Sequence, residues 1–254
     1  MQYLLLPFRG LYKIYYLTYF IFSFFVCYPL FYYLLSNRKK FPRAFVVMRW
    51  FAIVWQAFAF TPVRARGRNN IPNEGSFIIC ANHTSYMDIP VMYCVFKRYF
   101  VFVGKKEIEK WPLFHIFYTS GMNIAVDRDN PAESFDAFKR MLQEIDRGNP
   151  LAIFPEGTIP KNTPELGEFR SGAFSIAIRK QIPIIPITFV TNWQRLQRSG
   201  VWNGKAGPGF SEVVIHEPVS TLGLTKKDTD NLQKIVREII NKPLKYRFGC
   251  KLNE

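Results

Sequence analysis

Phe77-Ile78-Ile79-Cys80-Ala81-Asn82-His83-Thr84-Ser85-Tyr86-Met87-Asp88 reads as a short buried strand that runs into a turn. Ile89-Pro90-Val91-Met92 follows and opens a helix over 89–96. Ser85 with Asp88 three residues on is a capping-box-like signal that starts the helix there. One His therefore stands where a strand ends, with a carboxylate five positions later. On an ideal helix such positions lie about 140° apart around the axis, because each residue turns about 100°. The two side chains cannot meet on one helical face. They can meet if His83 lies in the turn and Asp88 in the first helical turn. The imidazole then offers one nitrogen to Asp88 and the other to a substrate hydroxyl. That is the oriented-base half of a catalytic triad, with no protein nucleophile evident in the motif.

Outward from this stretch, short strands alternate with helices from about Val63. Strands are expected at 99–103, 123–126, 151–154, 184–190 and 213–216. Helices are expected at 112–120, 131–147, 172–179 and 229–241. The 131–147 helix has an apolar face of Phe135, Phe138, Leu142 and Ile145, and Gly148-Asn149-Pro150 ends it. This alternation predicts an α/β fold with a mostly parallel sheet flanked by helices.

The N-terminus differs in kind. Ile14 to Leu35 is an aromatic-rich run without a charge, close to the ~20 residues that span a bilayer, and Pro29 interrupts it. Ala44 to Phe60 is a second apolar segment, broken by Arg49 and Gln56. Arg9 and Lys13, the basic turn Arg38 to Arg43, and Arg64, Arg66 and Arg68 flank every edge. A two-span hairpin would put the Arg38-Lys39-Lys40 turn across the membrane, against the preference of such charges for the cytoplasmic side. A helical pair dipped into one leaflet satisfies it. A first helix that spans, with the second in the interface, is the other reading. Both place the rest of the chain at the cytoplasmic face of an inner or plasma membrane. The expected organisation is a membrane-associated helical element over 1–62 and an α/β domain over 63–254.

Of the 254 residues, 34 are Lys or Arg and 19 are Asp or Glu, a formal net charge of +15. Such an excess suits an anionic partner. No nucleic-acid motif accompanies it, whereas an apolar N-terminus does, so lipid is preferred to nucleic acid. Cys27, Cys80, Cys94 and Cys250 form no Cys-x2-Cys pair, which argues against zinc and against a disulfide framework. His115 and His216 stand in apolar contexts and read as structural.

Further motifs follow in order: Gly121-Met122-Asn123-Ile124-Ala125-Val126-Asp127-Arg128, Phe154-Pro155-Glu156-Gly157-Thr158 and Ile182-Pro183-Ile184-Ile185-Pro186-Ile187. With His83 and Asp88 they resemble the four blocks of the glycerolipid acyltransferase family, which includes 1-acylglycerol-3-phosphate acyltransferases. The resemblance covers roughly residues 65 to 220. It implies His83 and Asp88 as catalytic residues and Lys105, Arg128, Glu156, Gly157, Thr158 and Arg170 as substrate-binding residues. His83, Arg128 and Glu156-Gly157-Thr158 each come just after a predicted strand, and in open α/β sheets ligands bind beyond the strands' carboxyl ends. The blocks can therefore converge on one cleft. One departure stands out. The family usually continues Glu-Gly-Thr with Arg, and here Ile159-Pro160 follows. Lys161 or Arg170 could replace that guanidinium.

The resemblance implies transfer of an acyl chain from acyl-carrier protein or coenzyme A to the 2-hydroxyl of lysophosphatidate, at a membrane. No cofactor or metal is needed beyond the thioester co-substrate. The missing Arg keeps open the same chemistry on a lyso-aminolipid such as a lyso-ornithine lipid. A reading of another class, a catalytically silent lipid- or partner-binding module, is opposed by the intact His83/Asp88 pair.

Overall fold

A computed structural model describes residues 6–127 and 129–250. Two long helices come first, α1 (Leu6–Leu35) and α2 (Phe41–Phe58), joined by a 3-10 turn at Arg38–Lys40. Pro29 lies inside α1 without ending it. Then follow β1 (Val63–Arg66), β2 (Ile78–Ala81), α3 (Asp88–Val95), β3 (Val101–Lys105), α4 (His115–Thr119), β4 (Ile124–Val126), α5 (Pro131–Asp146) and β5 (Leu151–Ile153). The chain continues through α6 (Gly172–Lys180), β6 (Ile184–Phe189), α7 (Asn192–Arg195), β7 (Ser211–Ile215) and α8 (Thr229–Phe248).

The strands form one seven-stranded sheet in the order β1-β7-β6-β2-β5-β3-β4. All pairings are parallel except β6 with β7. The expected α/β fold with a mostly parallel, helix-flanked sheet is what forms.

Alternation along each strand divides the core in two. From β2, Ile79 and Ala81 join the core shared with α1, α2, α3 and α4. Ile78 and Cys80 join the core shared with α5, α6 and α8. The first core is aromatic: Phe24 meets Phe31, Phe51, Phe114 and Phe117 at centroid distances of 5.3–5.9 Å. The N-terminal helices therefore pack with α3 and α4 on one face of the sheet.

Three local expectations change. The apolar face of α5 is Ala137, Met141 and Ile145, flanked by partly buried Phe138 and Leu142, whereas Phe135 is 58% exposed under the Lys139 ammonium. Helix α8 continues through Pro243 to Phe248, because Leu244 still has a core to enter. Ser85 does not cap α3. Its hydroxyl donates to Leu196 O, and only the Asp88 half of the box forms, accepting from Ser85 N at 2.9 Å.

Candidate active site

Strands β5, β2 and β6 are neighbours and run in parallel, so the loops after them open side by side at one sheet edge. The loop after β2 carries His83, that after β5 carries Glu156, and α7 after β6 carries Asn192. Asn82 fixes this edge, exchanging side-chain hydrogen bonds with Phe189 N and O at 2.7 and 3.1 Å.

Asp88 is the first residue of α3 and is fully buried. Its Oδ2 accepts from His83 Nδ1 at 2.8 Å, Thr84 N at 2.6 Å and Ser85 N at 2.9 Å. Its Oδ1 accepts from Asn192 Nδ2 at 2.7 Å and Thr84 Oγ1 at 3.3 Å. These donors fix the orientation of the carboxylate, and the carboxylate in turn fixes the imidazole tautomer. With Nδ1–H given to Asp88, Nε2 is left as the basic nitrogen. The ring stacks on Phe154 at 4.2 Å and 18°, which holds its plane.

Glu156 sits behind this pair. Its Oε1 accepts from His83 N and its Oε2 from Gly167 N, both at 2.7 Å. Burial pushes its carboxyl up to about 7, against those two backbone donors, which favour the charged form. The carboxylate thus braces the backbone of His83. Gly157 follows at φ 70°, in the left-handed region that favours glycine. Thr158 Oγ1 accepts from the Arg198 guanidinium at 3.2 Å.

An apolar cavity of about 820 Å³ lies between α1, α2 and the sheet and includes His83 in its wall. Phe31, Trp55 and Tyr93 line it in the interior, and Tyr86, Trp111 and Arg198 where it meets solvent.

His83, Asp88, Glu156, Gly157 and Thr158 come together as their spacing after strands suggests. Lys105 ends β3 two strands away from β2, pairs with Glu107 and is not in the cavity wall. Arg170 is exposed and donates its backbone N–H to Pro155 O. Arg128 lies outside the described residues. His216 donates Nε2–H to Thr188 Oγ1, which itself donates to Ile240 O. Burial pushes its pKa down to about 4, so it is a neutral structural residue. His115 is exposed and held by Glu109 O.

Asn192 and Arg198 escaped the sequence reading. The signal for both was their place just beyond the carboxyl end of β6, the same crevice rule that located His83.

The acyltransferase family model matches residues 62–190. The chain belongs to that family. It is 28% identical over 183 residues to the chloroplastic 1-acyl-sn-glycerol-3-phosphate acyltransferase BAT2 of Brassica napus, covering 72% of this chain and 51% of that protein. The chain thus spans about half the length of that acyltransferase. It is 26% identical over 202 residues to the 1-acyl-sn-glycerol-3-phosphate acyltransferase of Haemophilus influenzae, covering 78% and 80%. The fold is that of the 1-acyl-sn-glycerophosphate acyltransferase PlsC from Thermotoga maritima, with a TM-score of 0.74, 22% identity and full coverage of both chains.

Proposed function

We propose that this acyltransferase moves an acyl chain from an acyl-carrier-protein or coenzyme A thioester to the 2-hydroxyl of 1-acylglycerol-3-phosphate, giving phosphatidate. The observation that carries the reading is the His83–Asp88 pair in the wall of a long apolar cavity. Nε2 takes the hydroxyl proton as the oxygen attacks the thioester carbonyl. The C–S bond then breaks, and the protonated imidazole returns the proton to the leaving thiolate. Asp88 stabilises the imidazolium in between, braced by Asn192 and the Thr84 and Ser85 amides. No protein nucleophile is needed. The apolar cavity receives an acyl chain, and the names of the relatives supply the acceptor class.

The protein acts at a membrane, with its N-terminal helices in one leaflet. Phe22, Phe25, Val26 and Trp50 expose apolar surface on the outer side of the helical pair, which suits interfacial insertion. Helix α1 has the length and apolarity of a span. Yet both of its ends are tied to the α/β domain: Lys13 bonds Ser199 Oγ and Gly200 O, and Arg38 after its C-terminus pairs with Glu144 of α5. A helix lying along the domain cannot carry its far end across a bilayer, which favours one leaflet for the whole molecule, and the basic residues at the helix edges favour the cytoplasmic one.

The test is an assay of the purified protein with acyl thioesters and a panel of lyso-acceptors, including lysophosphatidate and a lyso-ornithine lipid, with product mass measured. Phosphatidate as the main product supports the reading. A product formed only from the lyso-aminolipid replaces the acceptor. No product from any acceptor leaves the silent binding module.

A further inference from the structure

We propose that Arg198 binds the phosphate of the acceptor, doing from a different loop what an arginine at position 159 would do. This rests on the phosphatidate reading above.

Position 159 is a buried isoleucine and cannot meet an anion. Among the described residues, the cavity wall that contains His83 has two cations, Lys13 and Arg198, and no carboxylate. Lys13 is not available. Its ammonium has three donors, and three protein acceptors take them: Ser199 Oγ at 2.8 Å, Gly200 O at 3.0 Å and Asn203 O. Arg198 is available. Its NH1 reaches Thr158 Oγ1 at 3.2 Å and Ile159 O at 3.4 Å, and no carboxylate among the described residues pairs with it. The remaining donors of its planar fork are left for a ligand, and such a fork matches a phosphate bidentately.

Arg198 is also held in place. Two residues before it, Leu196 O accepts from Ser85 Oγ at 2.6 Å, a direct tie to the turn that carries His83. Leu196 pairs with Ala206 in an antiparallel bridge that closes the base of the loop, and Gln197 N donates to Lys205 O at 2.8 Å. Lys13 secures the far side of the loop from α1, and Trp202 lies so close to Gly10 that any side chain there would collide with it. The guanidinium thus stands over the Glu156-Gly157-Thr158 turn, at the solvent end of the cavity. A headgroup would sit there while the acyl chains stay apolar. Binding the acceptor phosphate is a contact with substrate and not with the proton in flight, so its loss should appear in KM.

The experiment is steady-state kinetics of the full chain in lipid vesicles at saturating thioester. The acceptors are lysophosphatidate and the uncharged monoacylglycerol. The variants are Arg198→Gln, Arg198→Lys and the pair Arg198→Gln with Ile159→Arg. Gln keeps a donor for Thr158 and loses the charge. Its KM for lysophosphatidate should rise by about 10- to 150-fold, the range of one charge-assisted contact, with the KM for monoacylglycerol within about twofold. Arg at position 159 should recover most of that loss. Equal effects on both acceptors, or a raised KM for the thioester instead, would overturn the assignment. The second outcome would give the guanidinium to the donor's phosphates. If Arg198→Gln melts below the wild type, Arg198→Lys decides by the same ratio of the two KM values. A wild type that makes no phosphatidate brings down the acceptor reading itself, whatever the variants do.

Discussion

The two faces of the sheet are built differently. Under α5, α6 and α8 the core is mostly aliphatic, with Ile78, Ile184, Ile176, Ala177, Val236 and Ile240 closed together. Under α1 and α2 it is aromatic and encloses the cavity that reaches His83. The outer surfaces differ as well: Phe22 is 67% and Trp50 59% exposed on the aromatic side, whereas α5 presents Glu133, Asp136 and Lys139. One face is closed, and the other encloses a cavity and leaves large apolar side chains exposed.

The largest effect is expected from His83→Ala. Turnover should fall by about 10²- to 10⁴-fold or more, with circular dichroism and melting temperature retained. Near-normal turnover in a folded variant would remove the general-base mechanism. Next comes a pair that contrasts the faces directly. Phe174, fully buried under the aliphatic face, should cost about 3–5 kcal/mol on truncation to Ala and leave acyl-chain preference unchanged. Phe24→Ala, in the cavity wall, should cost less stability and shift chain-length preference, read by product mass. If both variants lose equal stability and keep the same products, the cavity is not the acyl site.

Glu156 adds a pH signature. Its folded pKa of about 7 lies above the usual carboxyl value, so the native state binds its proton more tightly than the unfolded chain does. Its contribution to stability is present at low pH and is lost as pH rises from about 4.5 to 7, on the order of 3 kcal/mol. Glu156→Gln should flatten the decline in melting temperature over that window. An unchanged slope would show that the backbone donors of His83 and Gly167 hold the group ionised throughout. On the outer aromatic surface, Phe22→Glu or Trp50→Glu should weaken binding to anionic vesicles about tenfold or more, without loss of turnover on a detergent-dispersed acceptor. Unaltered sedimentation with vesicles would move the membrane contact elsewhere.

Much of this was legible in the sequence. The turn between a strand and a helix brought His83 to Asp88, and strand ends brought Glu156 and Thr158 beside them, because both depend on local spacing. The sheet was legible from alternation. What escaped depends on distant segments. Asn192 reaches Asp88 only because β6 lies next to β2, and Arg198 reaches Thr158 only because a loop is pinned by Lys13 from the N-terminal helix. Phe135 was misplaced for a similar reason: a 3.6-residue pattern gives a stripe, and tertiary packing chose the stripe centred on Met141.

The smallest effect concerns an ion pair that links the two faces. Arg38, in the turn between α1 and α2, donates to Glu144 near the end of α5, on the opposite side of the sheet. Glu144 is buried and also accepts from Arg147 NH1 and Asn149 Nδ2, both at 2.8 Å. Burial would raise its pKa, but Arg38, Asn149 and Arg147 outweigh it and hold the carboxyl below its usual value. Such a group lends stability above its unfolded pKa, and that stability is lost as pH falls through the folded one. Arg38→Ala leaves Glu144 with two donors, and Arg38 is itself half-exposed and screened, so the loss should be only about 1 kcal/mol, or roughly 2–4 °C in melting temperature. It should shrink further in acid, where Glu144 takes up a proton in either variant. The turn carries a second readout. Docked on α5, it should resist protease added outside sealed right-side-out vesicles. Cleavage between Arg38 and Arg43 from that side would mean that the helices leave the α/β domain and cross the bilayer, and the aromatic face would then no longer be one face of a single sheet.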